Sequence, residues 1–285
     1  MSGPPRLTPP SAARPAMLVD AHAHLDRYPD ELLAPALAEI RRASILTIAT
    51  AMDLSSYERA KAIAARCPLV VPAFGIHPWN APVYSDELRD QSLRRALDEA
   101  LLFGEIGLDR RFVPNARTHP AQRAVFELFL AAARDQGKLV NLHTSGAEEE
   151  VCQLLERFGR PAAIVHWYSG PADAFARLLE LGALFTVGVE VHFSPHIQAL
   201  ARIIPDDRLL TETDNPEGME WLTGTPGMPL LVTDVVGKLA ELRGTNPEGI
   251  VQTVEQNLFR LMRANRWLAP VAERILGEAA RERAA

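Results

Sequence analysis

Eight short apolar runs punctuate the chain, at residues 18–20, 45–49, 70–74, 101–104, 139–142, 162–165, 184–187 and 209–211. Between them lie stretches such as SSYERAKAIAARC, SDELRDQSLRRALDEA and HPAQRAVFELFLAAARDQG, with apolar residues at helical spacing and charges on the opposite face. Strand and helix in alternation predict a parallel sheet covered by helices. Eight such units predict the closed α/β form, a TIM (β/α)8 barrel folded as a single domain, which commonly takes about 250 residues. The competing doubly wound open sheet usually carries a glycine-rich phosphate loop after its first strand, and here that position reads AHAH. Helix starts are predicted at Ser55, Ser85 and Asn246, good N-cap residues just ahead of periodic runs. Residues 227–244 are expected to form the helix closing the barrel, with Asn257 in a structural role in a following helix.

In such a barrel the residues at the carboxyl ends of the strands converge on one mouth. Six polar side chains stand at those ends: His22 and His24 after MLVDA, Glu105 after LLFG, His143 after KLVNL, His166 after AAIV and Asp214 after LLTET. Strand side chains repeat every second residue, so His22 and His24 point the same way. Imidazole and carboxylate suit zinc, manganese or magnesium. A carboxylate such as Glu105 can bridge two divalent cations, a pair that activates water and stabilises attacking and leaving oxygens together. Asp214 is then both a ligand and the general base. Taken singly, each residue has an ordinary explanation as a core histidine, helix cap or solvated acid. Six of them on five strand ends do not, because buried imidazoles and carboxylates without charged partners are costly.

Composition narrows the remainder. Cys67 and Cys152 lie far apart without metal-ligand spacing and are expected as buried thiols, in keeping with a reducing cytoplasm. Every uninterrupted apolar run falls short of the ~20 residues a membrane helix needs. The formal net charge of −6 argues against broad electrostatic attraction to nucleic acid, so any phosphate contacts must come from a local basic rim. Residues 1–16, rich in Pro, Ser and Ala, are expected to form a disordered tail, with Met17 a candidate alternative start. The barrel is assigned to 17–265 and a helical extension to 266–285. Nothing in the sequence marks an obligate protein partner.

The chain resembles the TatD family of metal-dependent hydrolases from about residue 18 to residue 262. The matching motifs are VDAHAHLD at 19–26, GIHP at 75–78, GEIGLD at 104–109, NLH at 141–143, VHWYSG at 165–170 and DRLLTETDNP at 207–216. The resemblance implies that His22, His24, Glu105 and Asp214 hold one metal, that Glu105, His143 and His166 hold another, and that His77 orients a phosphate or carbonyl oxygen of the substrate. It also implies hydrolysis, of DNA in many members and of aminoacyl-tRNA in some. The chain departs from the family at four positions in the mouth. Trp79 stands where many members have a histidine, Ser145 where many have an arginine, and Trp167 and Tyr168 replace the usual cysteine and phenylalanine.

Arg27, Arg110 and Arg111 follow the first and fourth strands and are expected to make up the lost phosphate contacts. Trp79, Trp167, Tyr168 and Phe193 are candidates for stacking on bases. His192 and His196 are further rim candidates, and His119 is read as a helix start. The leading functional expectation is a two-metal phosphodiesterase or deoxyribonuclease acting on single-stranded nucleic acid ends by metal-activated water. The alternative is a metal-dependent ester or amide hydrolase, such as a deacylase. A third, a non-catalytic binding subunit, does not need a general base beside a metal. Placement of Arg110 or Arg111 away from the centre would favour the carbonyl reading.

Overall fold

The computed structural model describes residues 16–86, 88 and 90–281. Strands β1 (Leu18–Ala23), β2 (Ile45–Thr50) and β3 (Val70–Ala73) pair in parallel in chain order, as do β4 (Phe103–Gly107), β5 (Val140–His143), β6 (Ala163–Val165), β7 (Leu184–Val187) and β8 (Leu209–Thr211). Two seams join these groups into a ring. At one, Phe74 N–H donates to Leu102 O (3.1 Å) and Gly104 N–H to Phe74 O (2.9 Å). At the other, Asp214 N–H donates to His22 O (3.0 Å), His24 N–H to Asn215 O (2.8 Å) and the Thr213 hydroxyl to Asp20 Oδ2 (2.6 Å). The result is the TIM barrel expected from the alternating pattern.

Helices α1 (Asp30–Arg42), α2 (Leu54–Ala64), α3 (Ala81–Tyr84), α4 (Gln91–Glu99), α5 (His119–Gln136) and α6 (Glu148–Arg157) follow the first five strands. Then come α7 (Ala172–Glu180), α8 (Pro195–Ile203), α9 (Glu217–Thr223), α10 (Leu231–Arg243), α11 (Pro247–Ala264) and α12 (Ala269–Arg281). The main core lies between strands and helices. On α5, Val125, Phe126, Phe129, Leu130 and Ala133 fall on one face and are buried. The Phe129 ring lies 5.3 Å from Phe74 and 5.2 Å from Phe103, tying α5 to the β3–β4 seam. Burying one such phenylalanine contributes about 2–3 kcal/mol.

Several local expectations are corrected. Helix α2 is capped by Asp53, not Ser55: the Asp53 carboxylate accepts from Ser56 N–H, and the Ser56 hydroxyl accepts from Asp53 N–H. Ser85 ends α3, and α4 is capped by Asp90, which accepts from the N–H groups of Ser92 and Leu93. Asn246 caps α11 as expected, and Asn257 Nδ2 donates to Asp206 O and Leu209 O, joining α11 to β8. Strand β4 starts two residues later than the apolar run suggests and continues through Glu105 to Gly107. Its glycines read as terminators but permit close packing. A Cβ at Gly107, where φ is 146°, would lie 1.9 Å from His143 O. The expected tail at 1–16 lies outside the described residues except for Ala16. Both cysteines are buried free thiols, and among the described residues no helix is long and apolar enough to cross a membrane.

Lys138 precedes β5, is only 1% exposed, and donates from Nζ to Leu97 O (2.5 Å) and Asp98 O (3.0 Å), the last carbonyls of α4. Its ammonium also lies 4.3 Å from the Trp267 ring and 5.0 Å from Phe103. Burial pushes the ammonium down to about 8. The unfolded chain, with a lysine near ~10.4, therefore binds more protons between those values, and this residue's contribution makes stability rise with pH there. Lys138→Met is expected to abolish that rise and to cost about 1–3 kcal/mol at neutral pH, because two carbonyls lose their donor. Urea unfolding at pH 7 and about pH 9.5 checks both effects.

Candidate metal centre

The strand ends bring the six predicted residues together around Glu105, whose two carboxylate oxygens face different groups. Glu105 Oε2 is 3.5 Å from His22 Nε2 and 3.2 Å from His24 Nε2, and the same two nitrogens lie 3.5 and 3.3 Å from Asp214 Oδ1. Glu105 Oε1 is 2.8 Å from both His143 Nδ1 and His166 Nε2. The His22 and His166 rings stack between the two groups, with centroids 3.9 Å apart. Asp214 Oδ1 is buried and accepts no hydrogen bond. Acceptor nitrogens and carboxylate oxygens crowded this closely, with an orphaned oxygen among them, fit divalent cations.

Neighbouring groups decide which imidazole nitrogen faces the centre. Asn141 Nδ2 donates to Ala21 O, which turns its Oδ1 toward His22 Nδ1 at 2.9 Å, so that nitrogen carries the proton and Nε2 keeps its lone pair. His24 Nδ1 donates to Thr50 O (3.2 Å). His143 is reversed, with Nε2 donating to Asp109 Oδ2 (3.1 Å) and Nδ1 facing Glu105. His166 Nδ1 lies 3.7 Å from Glu212 Oε2, and Glu212 Oε1 accepts from Trp167 N–H (2.9 Å). His77 differs from the four. Its Nδ1 accepts from Trp79 N–H (3.2 Å), so Nε2 carries the proton and points into the site as a donor.

The electrostatics follow from this crowding. Burial opposes charge on Glu105, yet the surrounding imidazoles outweigh it and hold the carboxyl well below its ordinary range. Asp214 is held down in the same way, by His24 and His22. Burial also opposes charge on His24 and His166, but Asp214 and Glu105 raise the first and Glu105 and Glu212 the second, well above the usual imidazole value. For His77 burial wins: it outweighs the pull of Glu105, whose Oε1 lies 3.3 Å from Nε2, and takes the imidazole down to about 4, leaving a neutral donor at pH 7. Burial opposes charge on Asp109 too, but four hydrogen-bond donors hold it at about 2.

Two residues at the centre adopt left-handed backbone, Trp167 (φ 40°) and Asp214 (φ 53°), which costs roughly 1–2 kcal/mol each for a residue with a Cβ. Trp167 N–H is held by Glu212 Oε1 and by Thr186 Oγ1 (3.2 Å), and Asp214 N–H by His22 O. The surrounding barrel thus enforces both conformations.

Above the centre opens a cavity of about 940 Å³ whose lining includes Arg27, His77, Arg111 and Trp167. Arg27 is committed to Glu217, donating to Oε1 from Nε (3.1 Å) and Nη2 (2.8 Å). Arg110 is corrected: it does not line the cavity but donates to Gln122 Oε1 (2.6 Å) and Glu150 Oε2 (2.9 Å). Asp109 Oδ1 accepts from the N–H groups of Arg111 and Phe112, and the resulting turn sends Arg110 outward and Arg111 inward. Tyr168 is buried and donates to Pro171 O, and His192 and Phe193 line a separate groove beside α10. Asn141, Asp109 and Glu212, which hold or face His22, His143 and His166, carry no separate prediction in the sequence. Asn141 and Glu212 each stand two residues before a predicted ligand, and that same-face spacing was the available signal.

A closed parallel barrel with histidines and carboxylates converging at its carboxyl-end mouth defines the class of metal-dependent hydrolases. Residues 19–263 match the family of TatD-related DNases, and the chain belongs to that family. It is 29% identical over 263 residues to the Escherichia coli K12 protein named uncharacterized metal-dependent hydrolase YcfH, covering 86% of this chain and 95% of that one. It is also 29% identical over 240 residues to the protein of Dickeya dadantii named 3'-5' ssDNA/RNA exonuclease TatD, covering 80% and 90%. The crystal structure of YJJV, a TatD homologue from Escherichia coli K12, superposes with a TM-score of 0.71 at 23% identity, over 86% of this chain and 97% of that chain.

Proposed function

We propose that His22, His24, Glu105 and Asp214 hold one divalent cation, that Glu105, His143 and His166 hold a second, and that the centre hydrolyses phosphodiester bonds at the ends of single-stranded DNA or RNA. The observation that carries the two-cation reading is the division of the Glu105 oxygens between two clusters. Cations held there would polarise a phosphoryl oxygen and acidify water. The protein's own groups do the rest. The Asp214 carboxylate, whose Oδ1 faces His22 and His24, accepts the proton of the attacking water. The His77 Nε2–H donates to a non-bridging oxygen, and being neutral it keeps that proton through the reaction. Asp109 orients His143 through their hydrogen bond, and the Glu212 carboxylate stands 3.7 Å behind His166 Nδ1. Zinc, manganese and magnesium all accept this mixed donor set.

The substrate reading draws on the Dickeya dadantii relative's name and on a mouth that admits a flexible strand end more readily than a stiff duplex. One observation favours the carbonyl alternative: Arg110 is spent on Gln122 and Glu150, so the rim has one phosphate contact fewer than expected.

The test is to strip the protein with chelator, resupply magnesium, manganese or zinc, and add end-labelled single-stranded oligonucleotide. Stepwise shortening with metal is the expected result. No shortening with any metal, in folded protein that has taken up metal and cleaves an aryl ester, would transfer the function to the carbonyl reading.

A further inference from the structure

Four aromatic rings, three from loops and one from a short helix, form a broken collar around the cavity mouth. Trp79 follows β3, Phe112 follows β4, Trp167 follows β6 and Trp221 lies on α9. Their centroids are 6.4 Å apart from Trp79 to Phe112, 6.4 Å from Phe112 to Trp221 and 6.2 Å from Trp221 to Trp167, with interplanar angles of 72°, 87° and 77°. Rings meeting edge to face leave faces uncovered, and Trp79, Phe112 and Trp221 are 50%, 50% and 65% exposed. A contiguous exposed aromatic surface beside a polar centre marks a binding surface. Trp79 also connects the collar to the centre, because its Nε1–H donates to Asp109 Oδ2 (2.6 Å), the oxygen that receives the His143 proton.

Charge limits what the collar can bind. Three arginines line the cavity, but Arg27 is paired with Glu217 and Arg59 with Asp30. Among the described residues Arg111 has no carboxylate partner. Its guanidinium lies 5.3 Å from the Phe112 ring, with Nη1 3.5 Å from Ser169 Oγ. The lining also carries Asp26, Asp53 and Glu190, which repel a polyanion. Broad aromatic faces with one uncommitted cation are the wrong surface for a long phosphate backbone. They suit one or two flat, uncharged rings with a single neighbouring phosphate.

We infer that the Trp79–Phe112–Trp221–Trp167 collar is a base-stacking subsite for the terminal nucleotide of a strand, with Arg111 on the adjacent phosphate. The substrate class is the strand end itself, down to a dinucleotide, rather than an extended single strand held along its backbone. This rests on the phosphodiesterase reading above. Recognition through ring faces predicts tolerance of base identity, and recognition of one extra phosphate predicts little dependence on strand length.

The experiment uses full-length metal-loaded protein and two probes that differ only in their bases, thymidylyl-thymidine and the corresponding abasic diester. The dinucleotide is expected to have a KM about 5- to 100-fold lower. Trp221→Ala is expected to erase that advantage through KM rather than kcat, and Trp221→Phe to restore most of it. Three of the four tryptophans in the chain line the collar, so thymidine 5'-monophosphate should quench intrinsic fluorescence, whereas 2-deoxyribose 5-phosphate should not. Between a trinucleotide and a long oligonucleotide, the salt dependence of KM should stay equally shallow, corresponding to about one or two phosphates. Equal KM for the two diesters with no fluorescence quenching would overturn the stacking subsite and leave the phosphodiesterase reading standing. Hydrolysis of neither diester would overturn that reading, and the subsite with it.

Discussion

Glu105→Gln is expected to empty the centre of both cations: metal content falls from two equivalents per chain to below one, and hydrolysis falls by about 10³-fold or more. Glutamine matches the shape of the side chain but removes the charge that both histidine clusters share. Losing an outer partner of a ligand typically costs about 10–100-fold, so losing a bridging ligand costs more. The metal-free protein should respond as well. The raised pKa values of His24, His143 and His166 mean that their pairing stabilises the fold fully below about pH 6.5, and that this contribution is lost as pH rises through their folded values. Removing the Glu105 charge therefore destabilises the chelator-treated protein more at about pH 5.5 than at about pH 8.5. Metal analysis and thermal melts at the two pH values report both effects. Full metal content in the variant would refute the bridging role.

Asp214→Asn is expected to remove the base and weaken the cation held with His22 and His24 while sparing the other cation. Asparagine tolerates the left-handed backbone at this position, and the N–H bond to His22 O does not involve the side chain, so the fold should survive. What is lost is the carboxylate charge that takes the proton and, with His22 and His24, holds one cation. A drop in kcat of about 10²–10⁴-fold is predicted, with the cation shared by Glu105, His143 and His166 retained. Single-turnover cleavage alongside metal analysis measures both. Activity within tenfold of the parent would remove Asp214 from the proton-transfer role.

The barrel was legible because its strands are short apolar runs bounded by helical periodicity, a signal that survives without tertiary information. The ligands were legible because each closes such a run. Boundaries were less so. At the start of α2, Asp53 and Ser55 are both good caps, and only the reciprocal bond with Ser56 selects Asp53. Strand β4 hid behind Gly104 and Gly107, residues that usually end strands but here admit neighbouring backbone. Arg110 and Arg111 looked equivalent, because the parity of an irregular loop depends on the turn that Asp109 captures. That Phe112 and Trp221 join Trp79 and Trp167 is not legible, since nothing local in sequence reports that three loops and α9 meet. The donor role of His77 was invisible for a similar reason: it follows from one hydrogen bond to the Trp79 amide.

The most direct test of a paired-cation centre is anomalous scattering from crystals of the full chain grown with manganese. Two peaks are predicted about 3.5–4 Å apart, one against His22, His24 and Asp214, the other against His143 and His166, with Glu105 reaching both. A single peak on one side of Glu105, or peaks away from these residues, would contradict the assignment.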